Sequence, residues 1–509
     1  MKGDFTRDTF DPRRHFSRVL MQQGRVQLDA DWNEQASIQL HYLRTLAADL
    51  IGPHGGPAGK KLGFEIAPSG KTFTIGPGRY YVRGIPCQND MLTDELGRPI
   101  PVPCTEQPGY PFPDSVELEP EGRYLVYLDV WERHVTYVVE PDIREVALGV
   151  PDTATRAQIV WQVKTAQLDE GWAREDEEIE AEIEKLKVEL EELHKALEEA
   201  IESEDADKIK EIQDQIAQVE ERLTELLEAT ESEAAIDCTL LLLHRLRAMH
   251  KFGTGAMRAR AYVEETPDDP CIIQPQARYR GAENQLYRVE IHKPGQAEDA
   301  TFKWSRDNGS VIFPILSIES DSKTGTTTVA LEHLGHDDRF SLQIGDWVEV
   351  IDDDIVLRGS AEPLLRVTYV DRVDMKVTLE GTLASSAGEE PKKHPLLRRW
   401  DQKVPTVSDL DLKDGISLEE RKWLDLEDGI QIWFGKGGRY KTGDYWLIPA
   451  RTATGDVEWP GPSDDPAFRR PHGVRHYYAP LWRISTTPQG NVQAAKEDDC
   501  RRVFEHLAR

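Results

Sequence analysis

Apolar residues in this chain follow two different spacings. Between residues 175 and 235 they recur as Ile179, Ile183, Leu186, Leu190, Leu193, Leu197 and Ile201. After the polar stretch Ser203-Glu204-Asp205-Ala206-Asp207 they resume as Ile209, Ile212, Ile216, Val219, Leu223 and Leu226. Intervals of mostly four and three residues put one narrow seam on a helix, the spacing of a coiled coil rather than of a broad core-facing stripe. The polar stretch carries helix-start chemistry, so the pattern predicts an antiparallel coiled-coil hairpin whose arms, of about 27 residues, are each roughly 40 Å long. Near the N-terminus Asp31 and Glu34 form a helix-start signature. Trp32, Ala36, Leu40, Leu43, Ala47 and Leu50 then follow at helical intervals until Gly52-Pro53, predicting one helix of about 20 residues.

Elsewhere the pattern is short alternating runs punctuated by Gly, Pro and Asp, which predicts strands. Such runs occur at 72–75, 80–85, 124–131 and 134–139, and again at 286–292, 301–304, 326–331, 347–351, 365–370 and 376–379. The last two lie at 430–434 and 445–448. Residues 152–164 read as a second helical stretch, and the Asn308-Gly309 step between 302–304 and 311–313 reads as a tight hairpin turn. The fold class predicted is mainly β with α, multi-domain: β-sandwich or barrel units in series, an N-terminal helix and an inserted antiparallel coiled-coil hairpin. The expected boundaries are 1–55 for an N-terminal arm and helix, 56–170 for a β domain and 171–236 for the hairpin. They continue with 237–300 for a return to the β scaffold, 301–395 for a small barrel or sandwich and 396–509 for a C-terminal β domain.

Charge sharpens this picture. Residues 175–235 hold 24 acidic and 6 basic side chains, so −18 of the formal −30 of the 509-residue chain comes from that segment. A run of this kind is the solvated face of a coiled coil, and nothing in it suits a nucleic-acid groove. No apolar run reaches the ~18 residues of a membrane span. The polar start, 1–12, lacks the apolar core of a secretory signal, so synthesis and folding in the cytoplasm are expected. Cys87, Cys104, Cys238, Cys271 and Cys500 show no close pair and read as reduced thiols.

Candidate chemistry is sparse. Asp29, Asp31 and Asn33 imitate half a calcium loop, but Glu34 stands where Gly is needed and Leu40 where the closing Glu should be. Asp352-Asp353-Asp354 reads as a hairpin turn between 347–351 and a strand at 355–357. His472 and His476 sit in a Pro/Gly loop without a third ligand. The Gly-rich stretch 52–61 misses the phosphate-loop pattern at His54 and Lys61 and reads as a plain loop. Trp131, Trp161, Trp304, Trp347, Trp433 and Trp446 could stack on sugars, but their strand positions favour the core. No catalytic residue, cofactor site or metal site is predicted, and the chain reads as non-enzymatic.

Several stretches resemble a known family. They are Phe10-Asp11-Pro12, Met21 through Glu34 (MQQGRVQLDADWNE), Glu283 through His292 (ENQLYRVEIH), Phe302 through Ser310 (FKWSRDNGS) and Gly443 through Arg451 (GDYWLIPAR). Together they look like a bacterial family of β-rich proteins of unknown domain type, whose genes tend to lie among those for phage-tail-like particles and contractile injection systems. The resemblance covers most of the chain except the acidic hairpin and brings no catalytic residues with it. It implies a structural part of such a particle at the baseplate or its periphery, a fibre or adaptor in contact with other tail or baseplate proteins. It also implies a homo-oligomer in a threefold or sixfold setting, cytoplasmic or released by lysis. The expected attachment is the Arg-rich arm and helix, through Arg7, Arg13, Arg14, Phe16, Arg18, Arg25 and Trp32. Two alternatives stand beside it: a carbohydrate-binding or carbohydrate-cleaving β protein, and a cytoplasmic scaffold that recruits a partner through the coiled coil.

Overall fold

The computed structural model describes residues 1–109, 118–148, 153–168, 185–193, 195–196, 236–249, 253–262, 278–335, 337, 339–383, 385–402 and 412–505, with 212, 215, 216, 218, 219 and 222 as isolated positions. Mainly β units are nested in it like brackets. The outermost unit pairs strand Arg123–Val135 with Arg156–Leu168 along their full 13 residues on one side and with Tyr477–Thr486 on the other. Beside this sheet lie His54–Pro57, Gly78–Val82 and Ile85–Asn89, joined by Val503–Phe504, which runs parallel to His54–Pro57. Phe64, Tyr80, Val126, Val130, Trp161 and Leu481 meet in one buried core.

Two expectations are corrected here. Within the stretch 152–164 the chain from Arg156 on is a strand, Arg156–Leu168, because Val160, Trp161 and Val163 are buried where it pairs with Arg123–Val135, and branched and aromatic side chains pack well there. The stretch 52–61 is not a plain loop, since His54–Pro57 is a wholly buried strand.

The inner unit sits between residues 257 and 457. Gln285–Lys293 pairs antiparallel with Thr301–Ser305 and Tyr445–Arg451, and Met257–Ala261 with Ile430–Phe434. Tyr287, Val289, Phe302, Trp304, Phe434 and Trp446 fill the space between these sheets. Inserted in it is a closed barrel of six strands: Ile312–Asp321, Thr326–Leu331, Lys376–Glu380, Leu365–Asp371, Trp347–Ile351 and Leu396–Trp400. Strands from 396–509, expected as one domain, are therefore shared among all three units.

Asn308 and Gly309 do form a tight turn with left-handed backbone, at φ 50 and 65°. The expected hairpin is absent, because Thr301–Ser305 stays in the inner sheet while Ile312–Asp321 enters the barrel. Asp352 caps a short helix, Asp353–Arg358, by accepting from Ile355 N at 3.1 Å, so 355–357 is helical rather than a strand.

The expected return to β scaffold at 237 also begins as a helix, Ile236–Ala248. Its Leu241, Leu242 and Leu246 cover the outer sheet at Leu125, Tyr127, Ala166 and Leu168. Cys238 in this helix is disulfide-bonded to Cys500, with Cα atoms 6.0 Å apart, which overturns the reduced-thiol reading for this pair. Spacing could not reveal partners 262 residues apart. Cys87 and Cys104 are free and buried, and Cys271 lies outside the described residues.

Of the acidic segment, 185–193 and 195–196 are helical. Leu186 is buried, and buried Ile212 and Ile216 pack against Leu190, Leu193 and Ala196. Val219 is buried as well. Ile179, Ile183, Leu197, Ile201, Ile209, Leu223 and Leu226, and the polar stretch 203–207 expected as the turn, lie outside the described residues.

Candidate functional site

Two places gather the stretches that carry the resemblance. The first is the seam between the inner sheet and the barrel. Along Gln285–Lys293, Tyr287, Val289 and Ile291 turn to the apolar core while Arg288, Glu290 and His292 lie on the opposite face. That face is buried too. Arg288 Nε lies 2.6 Å from Glu290 Oε2, and Lys2 Nζ lies 2.9 Å from Glu290 Oε1. Lys303 Nζ reaches Glu349 of the barrel at 2.6 Å and Glu290 at 3.6 Å, and Trp400 Nε1 donates to the same Glu349 carboxylate at 3.0 Å. Arg288 also stacks 3.5 Å over the Tyr445 ring and donates to Asn308 Oδ1. Asn308 in turn donates to the carbonyl of Gly3 at 2.9 Å, so the first residues of the described chain are built into the seam.

Electrostatics fits this geometry. Burial alone would raise the Glu290 carboxyl, but Lys2, Arg288 and Lys303 hold it far below the usual carboxylate range. Glu349 is likewise kept low, against burial, chiefly by Lys303. The enclosed Lys2 ammonium is lowered to about 8, mainly by burial. Burial also lowers His292 to about 4 and, with nearby cations, His134 to about 3, so neither ring adds charge. Asp444, in the turn before Tyr445–Arg451, is raised by burial to about 6, which the backbone N–H and the charge of Lys441 offset only in part. The seam is thus a fixed ionic joint that ties the N-terminal residues, the sheet and the barrel together. The alternation along Gln285–Lys293 does not by itself say that this charged face is enclosed. Only the tertiary placement of the barrel buries it.

The second place is the N-terminal module. The predicted helix spans Asp29–Ile51 and starts two residues before Asp31, whose carboxylate accepts from Leu28 N at 3.3 Å. Its body-facing side holds Ala30 and Ile38, both buried, and Arg44, which grips Glu132 with two hydrogen bonds at 2.8 and 3.2 Å. Gly84 lets the body approach this closely, since a Cβ there would collide with the Arg44 carbonyl. Upstream, Thr6 donates to Asp29, Thr9 to Glu34 at 2.6 Å, and Val19 N to Gln35 at 2.7 Å. A shallow pocket lined by Phe10, Pro12, Phe16, His41 and Tyr42 lies between arm and helix.

The expected attachment residues fall unequally on this module. Arg7 is engaged with Glu458 at 3.0 Å and Arg13 with Asp11 at 3.0 Å. Arg14, Phe16, Arg18, Arg25 and Trp32 are exposed, as are Leu20, Met21 and Val26 beside them.

The remaining candidates have local roles. Asp29 bonds the arm, as above. His472 stacks on Tyr445, and His476 meets Asp129 at 2.7 Å while stacking on Trp131, so the two histidines serve different neighbours. Asp129 also accepts from Lys164 at 2.6 Å, which makes this trio a tie between strands Arg123–Val135, Arg156–Leu168 and Tyr477–Thr486. Trp131, Trp161, Trp304, Trp347 and Trp446 are buried in cores. Trp433 is half-buried, with the Arg258 guanidinium 4.8 Å from its ring centre, and Arg258 also lies over Trp423 and Phe468. Among the described residues no group of three or more His, Cys, Asp or Glu could hold a metal ion. No helix of the described residues is long and apolar enough to cross a membrane.

No curated protein and no solved structure matches this chain. A family profile does, over residues 1–487, the span that contains both the ionic joint and the N-terminal module. The chain therefore belongs to the family of unknown function DUF6519.

Proposed function

We propose that this chain is a non-enzymatic structural component of a larger assembly, attached through its N-terminal arm. The observation that carries the reading is the arm itself. Residues 16–28 run along the protein with nearly every side chain exposed, including Phe16, Leu20, Met21 and Val26, of which Val26 is 82% exposed. Arg18 and Arg25 lie among them, and Arg14 just before. Apolar and guanidinium groups interleaved on one exposed segment are the composition of an interface, where aromatic residues, Met and Arg are enriched. The ionic joint supports the same reading, because a part that bears load between neighbours needs its units fixed to one another.

The assembly proposed is a phage-tail-like contractile injection particle, with the chain at the baseplate or its periphery in contact with other tail or baseplate proteins. This rests on the sequence resemblance. The acidic segment is proposed to be a coiled-coil hairpin that serves as a spacer or docking arm. The packing of Ile212 and Ile216 on Leu190, Leu193 and Ala196 supports it.

Removal of the whole of residues 1–55 would also take Lys2 from the joint, so charge reversal is the cleaner test. Arg14→Glu, Arg18→Glu and Arg25→Glu together are expected to leave the fold intact and to strip the chain from purified particles. Particles that never contain the chain, or that keep the triple variant, would sink the proposal.

A further inference from the structure

Helix Asp29–Ile51 has a second face that the body does not use. Trp32, Ala36, Leu40, Leu43, Ala47 and Leu50 follow one another at intervals of four, four, three, four and three, forming one stripe roughly 27 Å long. A globular protein ordinarily turns such a stripe inward. Here the inward side is the weakly apolar one, and the stripe faces solvent: Trp32 is 68% exposed, Leu43 64% and Leu50 61%. Leu40, Tyr42 and Leu46 are exposed alongside. From Gln35 to Leu43 there is no Asp, Glu, Lys or Arg. Single exposed apolar residues need no explanation, but a continuous uncharged row of them marks a contact surface.

We propose that this stripe packs against the same stripe of a second copy of the chain, making the protein a homo-oligomer joined through its N-terminal helices. The inference deepens the assembly reading above and rests on it only in treating the N-terminal module as an attachment element. Three observations choose the occupant. The intervals are those of a seam in which side chains of one helix enter the gaps of another, so the complementary surface is a helix of the same period, and a twofold axis supplies one. Charge points the same way. At a formal −30, copies repel one another over most approaches, and the stretch from Gln35 to Leu43, which carries no Asp, Glu, Lys or Arg, is a face on which two copies can meet without that repulsion. Area is sufficient as well. The stripe alone, with Trp32, Leu40, Tyr42, Leu43, Leu46 and Leu50 between 46% and 68% exposed, offers on the order of 600 Å² or more of apolar surface, within the roughly 600–1,000 Å² per partner of a standard interface. A lipid surface fits less well, because a helix lying on a membrane carries a Lys/Arg-rich polar face. The one cation of this helix, Arg44, is held by Glu132.

The test is the mass of the full chain in solution, by sedimentation velocity and light scattering over a concentration series. Wild type is compared with a Leu43→Glu/Leu50→Glu variant and with a Leu43→Met/Leu50→Met control. Wild type and the Met control are expected at a multiple of 57.8 kDa. The Glu variant is expected at a single chain mass, its dissociation constant raised on the order of 100-fold or more. Its circular dichroism should be unchanged, since both positions are exposed within one chain, and its unfolding midpoint should fall only by the concentration-dependent part that association contributes. A wild type that stays at one chain mass throughout overturns the inference, as does a Glu variant that remains oligomeric. Attachment to particles is scored separately through the arm arginines. A monomeric wild type that still copurifies with particles removes only the contact between copies, and an oligomer absent from particles removes only the assembly reading.

Discussion

Lys2 Nζ lies 2.9 Å from Glu290 Oε1, which joins the second residue of the chain to the middle of the inner sheet. The Glu290 side chain is almost fully enclosed, and it shares its two oxygens among Lys2, Arg288 and Lys303. Glu290→Gln would remove the carboxylate shared by these cations, leaving Lys303 with Glu349 and Arg288 with the neutral Asn308 Oδ1. A loss of about 3–5 kcal/mol is expected, the cost of stranding buried charge. Lys2→Met, whose stem is partly in solvent, should cost less. Urea unfolding of both variants measures this, and equal small losses would show that the joint is not ionic in its energetics.

Asp444 gives a pH signature of opposite sense. Its folded pKa of about 6 lies above the ordinary carboxylate value of 3.8, so the folded state binds more protons than the unfolded state between those limits. Stability therefore falls as pH rises from about 4 to 6 and the deficit persists above. Asp444→Asn keeps an acceptor for Lys441 N and should be the more stable protein at pH 7, by about 1–3 kcal/mol, with the advantage vanishing near pH 4. A difference between the two proteins that does not vary with pH would contradict this.

The Cys238–Cys500 bond closes a very long loop and fastens helix Ile236–Ala248 to the segment leading into Val503–Phe504. Reduction, or Cys500→Ser, should lower stability by about 2–5 kcal/mol. Alkylation of unreduced, unfolded protein followed by mass spectrometry should leave Cys238 and Cys500 unlabelled. Labelling of both would remove the bond from the native state.

Gly84 has φ +74°, and a side chain there meets the Arg44 carbonyl. Gly84→Ala combines a left-handed backbone penalty with that collision, so about 2–3 kcal/mol should be lost locally. Hydrogen exchange should rise in Asp29–Ile51 ahead of the rest of the protein. Uniform behaviour across the chain would mean that the helix is held mainly elsewhere.

The β-rich character and the N-terminal helix were legible because they depend on local period. The alternation in 286–292 and the row from Trp32 to Leu50 both appear as read. What each period faces was not legible. The polar half of Gln285–Lys293 meets a barrel rather than water, and the apolar half of the N-terminal helix meets water rather than a core. The stretch 152–164 was misread because its helical pattern competes with one long partner strand, Arg123–Val135, and Asn308-Gly309 because a turn's backbone chemistry does not say which strands its ends will join. Among the attachment residues, the tethering of Arg7 to Glu458, 451 residues away, had no local signal at all.

The bracketed arrangement has a consequence in time. Asp129 must wait for His476, 347 residues later, before the sheet it belongs to is complete. During synthesis the inner unit and its barrel emerge whole while strand Arg123–Val135 still offers one bare edge to any passing chain. The stretch between those two residues is thus a waiting period in which the last strand has yet to arrive, and the yield of native protein depends on what guards that edge until Tyr477–Thr486 closes it.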